Sequence, residues 1–207
     1  MSVQTSLFAS GPPQMAEPRF QRLHLDEASW VEVAPGWIQG ADALMESLVC
    51  LVPWCQSRRW MYDRVVDDPR LSCRYAAGDL VPHPLLGIAR SELSKHYGAE
   101  FGSVGLNYYR DGRDSVAFHR DRELRNLENT LVAILTLGGP RPFRVRPLGG
   151  GPATQLRPGS GDLLVMGGAC QVGWEHSVPK VKDCNARISI SWRWSAKTGR
   201  RRQARPA

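Results

Sequence analysis

The chain has 207 residues, 42% hydrophobic and 23% charged, a balance that suits one well-buried globular domain and leaves no room for two of ordinary size. Met1 to Pro18 lacks the charged start and apolar stretch of a secretory signal, and no apolar run approaches bilayer length, so we expect a cytoplasmic monomer with no membrane partner. The net charge of +7 favours a polyanionic partner, whereas Cys50, Cys55, Cys73, Cys170 and Cys184 are irregularly spaced and form no CxxC pair, which argues against a disulfide framework or a structural zinc.

Residues 1–22 are rich in Pro, Ser and Gly as far as Pro18 and read as a disordered segment, with order expected near Leu23. Asp42 to Cys55 carries apolar groups at helical spacing, limited by Pro53. A Pro-containing connector, Val81 to Pro84, leads to a second amphipathic helix, Leu85 to Tyr97, closed by Gly98. From Ser103 the texture changes to short apolar or alternating runs. We expect strands over 103–109, 116–119, 130–137, 143–147, 154–157, 162–166, 173–178 and 186–194. Turn residues separate them, including Gly138-Gly139-Pro140 and Gly149-Gly150-Gly151-Pro152. The fold class is therefore mainly β (α+β), a jelly roll with flanking N-terminal helices, forming one domain over 23–195. The tail, 196–207, carries Lys197, Arg200, Arg201, Arg202 and Arg205 without apolar periodicity and reads as a disordered basic arm.

Three residues in the β-rich half can ligate a metal. His119 and Asp121 lie two apart, so on a strand they face the same side while Arg120 points away, and His176 comes from another strand. A His-x-Asp triplet alone is weak. Two imidazoles and one carboxylate that leave coordination positions open are nevertheless the ligand pattern of non-haem Fe(II) oxygenases. In the last strand Arg187, Ser189, Ser191 and Arg193 share one face, and Ile188, Ile190, Trp192 and Trp194 the other. The two Arg Cα atoms are about 20 Å apart at strand spacing, and their side chains, leaning together, leave a gap that suits a short dicarboxylate.

The run Leu106-Asn107-Tyr108-Tyr109-Arg110-Asp111-Gly112, then Phe118-His119-Arg120-Asp121, His176, and Arg187 to Arg193 resembles the AlkB family of Fe(II)- and 2-oxoglutarate-dependent dioxygenases. The likeness is strong over the C-terminal half and weak before it. It implies a double-stranded β-helix that removes alkyl groups from nucleobases by oxidation with O2, acting on alkylated DNA or RNA. It implies Fe(II) on His119, Asp121 and His176. It assigns 2-oxoglutarate to Asn107, Tyr109, Arg187, Ser189, Ser191 and Arg193, one arginine pairing with the distal carboxylate. Ser189 and Ser191 stand where the family pattern Arg-x-Asn-x-Thr-x-Arg has Asn and Thr. Met61 to Arg64, leading to Pro69-Arg70, resembles the family's nucleotide-recognition hairpin. Tyr62 would fill the gap left by a flipped base, Arg64 would hold phosphate, and Tyr75 would stack on the flipped base. Where family members place an acidic residue after the iron-binding Asp, Arg122 intervenes and Glu123 is the nearest carboxylate. Two alternatives stand beside this reading: a 2-oxoglutarate-dependent hydroxylase of a protein or small molecule, and an inactive barrel that binds nucleic acid.

Overall fold

The structure, a computed structural model, describes residues 11–61 and 63–196. Tyr62, residues 1–10 and the basic tail after Ala196 lie outside the described residues. Within the segment expected to be loose, β1 (Gln14–Met15) pairs with β4 (Ile38–Gln39), so regular pairing begins before Leu23. β2 (Gln21–His24) and β3 (Ser29–Ala34) form an antiparallel pair that joins the main sheet.

The first helix, α1 (Ala41–Leu51), stops four residues short of the expected Cys55. Pro53 disfavours helical backbone at the residue before it, and Val52 is extended at φ −84° and ψ 129°. A hairpin follows, β5 (Arg58–Met61) against β6 (Arg64–Asp67), and Met61 opposite Arg64 leaves a two-residue turn whose Asp63 has φ 57°. β7 (Leu71–Tyr75) then enters the main sheet. The second helix, α2 (Pro84–Tyr97), has the ends its sequence specifies. The His83 imidazole accepts from the Leu85 N–H, Pro84 starts the helix, and Gly98 closes it in left-handed backbone at φ 59°.

The eight strands expected after residue 103 are all present: β8 (Val104–Tyr109), β9 (Val116–His119), β10 (Thr130–Gly138), β11 (Phe143–Pro147), β12 (Thr154–Leu156), β13 (Leu163–Gly168), β14 (Trp174–Val178) and β15 (Arg187–Ser195). A one-turn helix, α3 (Cys170–Gly173), sits between β13 and β14. The larger sheet runs β2-β3-β13-β10-β15-β8-β7 and the smaller β12-β11-β14-β9, so the chain passes between two antiparallel layers as a jelly roll does.

The centre of the large sheet is buried on both faces, and this is why β10 reads as an almost unbroken apolar run. Leu106, Leu135, Ile188, Ile190 and Trp192 pack outward with Leu44 and Leu48 of α1 and with Leu86 and Leu93 of α2. Tyr109, Val132, Ile134, Leu164 and Met166 pack inward with Phe143, Val145 and Val178 of the smaller sheet. The inward layer does not fill the space between the sheets, and the residual cavity holds the residues singled out above. Among the described residues no helix is long and apolar enough to cross a membrane.

Candidate metal centre and co-substrate pocket

His119 is aimed by an irregularity in the smaller sheet. Its Cα lies opposite that of His176, while Val116 lies opposite Val178. Three steps along β9 therefore face two along β14, which is a β-bulge. The extra residue lets both Val116 and His119 turn inward and sends Phe118 out, where the Arg146 guanidinium lies 3.8 Å over its ring. The two imidazoles end with ring centroids 4.3 Å apart. His119 Nδ1 is 2.9 Å from the Ala117 carbonyl, which can only accept, so this contact selects the tautomer with its proton on Nδ1 and aims Nε2 as the ligating nitrogen.

Asp121 lies beyond the strand rather than on it, so alternation alone does not orient it. Its N–H donates to Gln171 Oε1 at 2.8 Å, and its carboxylate accepts from Arg193 Nε at 2.7 Å. One ligand atom each from His119, Asp121 and His176 lies within 4.8 Å of the others. Burial alone would raise the Asp121 pKa, but Arg193, His176 and His119 beside it bring it down to about 2. Burial, with some help from His119, holds His176 down to about 3. At neutral pH the site thus offers an ionised carboxylate and a neutral imidazole, the forms that ligate a metal. Two nitrogens and one oxygen, with no fourth donor grouped with them among the described residues, fit an Fe(II) centre with open positions.

These ligands line a cavity of about 520 Å³ that also receives Asn107, Tyr109, Arg187 and Ser189. Arg187 is 1% exposed. Its Nη2 donates to Thr136 Oγ1 at 3.1 Å, whereas Nε and Nη1 have no hydrogen-bond partner among the described residues. Burial pushes its pKa down from the usual guanidinium value. A buried cation with two free donors, in the same cavity as three metal ligands, fits a carboxylate such as the distal end of 2-oxoglutarate.

The two arginines expected to meet the diacid differ in their surroundings. Arg193 is committed to Asp121, and its Nη1 donates to Ser191 Oγ at 3.0 Å while that hydroxyl donates to the Gly105 carbonyl. Arg187, by contrast, keeps Nε and Nη1 without a partner among the described residues. Ser189 lies opposite Asn107 on the cavity face. Asn107 Oδ1 accepts from Arg70 Nε at 3.0 Å, which leaves the amide nitrogen to donate elsewhere.

The residues proposed to meet a nucleotide are dispersed. Arg64 is exposed at the hairpin turn and does not line the cavity. Tyr75 pairs across from Val104 and packs on the helix side of the sheet, opposite the Asn107 face; burial and then Cys73 push its hydroxyl up to about 12. It is therefore not brought to the site. Glu123 is exposed, lies 3.5 Å from Arg74, and is likewise outside the cavity lining. Sequence reasoning missed Gln171, which no local pattern marks. It also missed Arg141, a 1% exposed residue whose guanidinium donates to the carbonyls of Asp111, Asp114 and Pro179 and so ties together the loops beneath Tyr109.

This fold and donor set define an iron- and 2-oxoglutarate-type oxygenase. Residues 55–202 match the family described as the 2OG-Fe(II) oxygenase superfamily, and the chain belongs to it. Fe(II), 2-oxoglutarate and O2 are thus the cofactor and co-substrates that the site is built for. The alpha-ketoglutarate-dependent dioxygenase alkB homolog 3 of Rattus norvegicus is 33% identical over 170 residues, covering 70% of this chain and 57% of that protein. The DNA oxidative demethylase ALKBH2 of Bos taurus is 30% identical over 119 residues, 53% of this chain and 43% of its own length. The chain thus spans little more than half of the rat relative. A prolyl hydroxylase from Trichoplax adhaerens, solved with a peptide, superposes with a TM-score of 0.61 at 9% identity, over 81% of this chain and 84% of that one, and shares the fold.

Proposed function

We propose that the protein is an Fe(II)- and 2-oxoglutarate-dependent dioxygenase that removes N-linked alkyl groups from bases of DNA or RNA, directly reversing alkylation damage. The observation that carries the oxygenase reading is Arg187, a buried cation with two donor nitrogens unpartnered among the described residues, in the cavity where His119, Asp121 and His176 converge.

Bound Fe(II), with 2-oxoglutarate and O2, supplies an oxidative step that yields succinate and carbon dioxide and hydroxylates the alkyl carbon, after which the adduct releases an aldehyde and the repaired base. The protein's own part is placement. Arg187 takes the distal carboxylate of the co-substrate, and the Asn107 amide, held by Arg70, donates alongside the Ser189 hydroxyl. Arg193 keeps Asp121 ionised and oriented. The His119 side chain is 36% exposed, so this ligand marks the end of the cavity that an incoming base can reach.

Three observations support a nucleic-acid substrate. The chain is basic, two of its relatives carry the names given above, and the β5–β6 hairpin presents Trp60, 69% exposed, with Arg58 and Arg64 on exposed positions. On this reading Arg64 holds phosphate and Tyr62 fills the gap left by a flipped base.

The test is an anaerobically loaded Fe(II) protein given 2-oxoglutarate, O2 and a panel of methylated oligonucleotides, with succinate and demethylated base quantified together. Equal amounts of both are expected, and His119→Ala should abolish both. Succinate without repaired base would instead indicate a protein or small-molecule substrate.

A further inference from the structure

The cavity is lined by far more positive than negative charge. Arg70, Arg120, Arg122, Arg187 and Arg193 belong to its lining, against Asp121 as the one carboxylate there. The oxygenase reading accounts for part of this: the charges of Fe(II) and the 2-oxoglutarate dianion cancel, Asp121 is paired with Arg193, and Arg187 meets one of the dianion's carboxylates while its own charge stays in excess. Beyond Arg187, three guanidinium groups remain. Arg70 donates to Asn107 and Arg120 to the carbonyls of Arg125 and Val172, neutral acceptors that fix position without cancelling charge. Arg122 is exposed, and none of the hydrogen bonds or ion pairs among the described residues engages it. The neighbouring Glu123 does not balance it, because that carboxylate is turned to Arg74 and lies outside the lining.

We propose that Arg122 makes the site favour alkylated bases that remain neutral over those that carry a positive charge. This rests on the dealkylase reading and names the substrate class within it. An alkyl group on N1 of adenine or N3 of cytosine adds to a nitrogen that bears no proton, leaving a cation at neutral pH. On N1 of guanine or N3 of thymine it replaces a proton, and the base stays neutral. A cationic base brought beside His119 meets an unpaired guanidinium and no free carboxylate. At an exposed rim the repulsion is screened, so its effect on the ratio of the two classes is on the order of several-fold, and reversing the charge shifts that ratio by about tenfold.

The experiment compares wild type, Arg122→Gln and Arg122→Glu on single-stranded oligonucleotides that differ only in the lesion, 1-methylguanine or 1-methyladenine. Two ratios are read: kcat/KM with Fe(II), 2-oxoglutarate and O2, and equilibrium binding by fluorescence anisotropy under argon, where nothing turns over. Because Arg122 is exposed, both variants should fold as wild type does. The preference for the neutral lesion should fall by about threefold in the Gln variant and about tenfold in the Glu variant, in both ratios. An unchanged ratio overturns the proposal. So does a uniform loss of binding to all oligonucleotides, unmodified ones included, with a shallower salt dependence, since that is the behaviour of a phosphate contact. Wild type that repairs neither lesion counts against the dealkylase reading, while the binding ratio still tests Arg122.

Discussion

Arg187→Met separates what this arginine does for the fold from what it does for the co-substrate. In the unliganded protein the guanidinium is 1% exposed, has one hydrogen bond, to Thr136, and leaves Nε and Nη1 unpartnered among the described residues. Each unsatisfied buried donor costs about 1–3 kcal/mol, and the charge adds more. Methionine fills similar length without polar atoms. Allowing for the donor that Thr136 loses, the unliganded variant should be more stable than wild type by about 2 kcal/mol, or roughly 4 °C in Tm for a chain of this size. Co-substrate binding should move the other way. Removing one partner of a buried charge pair costs about 2–5 kcal/mol, which at about 1.4 kcal/mol per factor of ten weakens 2-oxoglutarate by roughly 30-fold to several thousand-fold. Thermal unfolding under argon, with and without 2-oxoglutarate, reads both effects: wild type gains Tm on adding the co-substrate and the variant does not. A variant that is less stable when unliganded, yet is stabilised by 2-oxoglutarate as much as wild type, would falsify the assignment of Arg187 as the carboxylate anchor.

Breaking the Asp121–Arg193 pair should show the opposite sign. Asp121→Ala strands a buried guanidinium and should cost about 3 kcal/mol in urea unfolding, whereas adding Arg193→Met should recover most of that loss; an additive double mutant refutes the coupling. In the metal-free protein His176 is held neutral by burial down to about 3, while the unfolded chain protonates it near the ordinary imidazole value of 6.5. The unfolded state therefore binds more protons, and stability should fall as pH drops from about 6.5 towards about 3. Asp121, depressed from 3.8 to about 2, extends the loss in the same direction below pH 4. Urea midpoints across this range should flatten in His176→Gln. Arg70→Gln frees the Asn107 amide to rotate, so KM for 2-oxoglutarate should rise about fivefold with kcat little changed, and Arg70→Lys should restore part of it. A kcat loss without a KM change would place Arg70 elsewhere in the mechanism.

The jelly-roll strands could be read from sequence because both devices that mark a strand agree there. Turn residues bound each run, and β15 alternates apolar Ile188, Ile190, Trp192 and Trp194 with polar or charged residues, as a strand facing helices on one side and a cavity on the other must. β3 escaped notice because Glu32, in the middle of its apolar run, is nonetheless 6% exposed. Its carboxylate accepts from Arg22 on β2 and from the Tyr97 hydroxyl on α2, partners 10 and 65 residues away in sequence. A buried carboxylate satisfied at long range looks in sequence like a solvated one.

The site divides along the same line. His119 and Asp121 were recognisable as a pair, but the reason first offered, strand alternation, holds only for a continuous strand. In the fold β9 ends at His119, a bulge before it turns the imidazole inward, and a glutamine 50 residues downstream fixes the Asp121 backbone. Spacing thus identified the donors, while tertiary contacts supply their orientation. Local pattern likewise placed Arg187 and Arg193 on one face, yet could not say that one would find an anion inside the protein and the other would not. That difference depends on the chain reversal that carries Asp121 to Arg193 and brings no acid to Arg187. Tyr75 shows the same limit from the other side: Ser72, opposite Asn107, shares the cavity-facing side of the sheet, and Tyr75, three residues on, has the opposite parity and joins the helix-side core. The unpaired buried cation is therefore the feature that assigns chemistry to the cavity, because an arginine with no internal counter-charge is stable there only in so far as a ligand brings one.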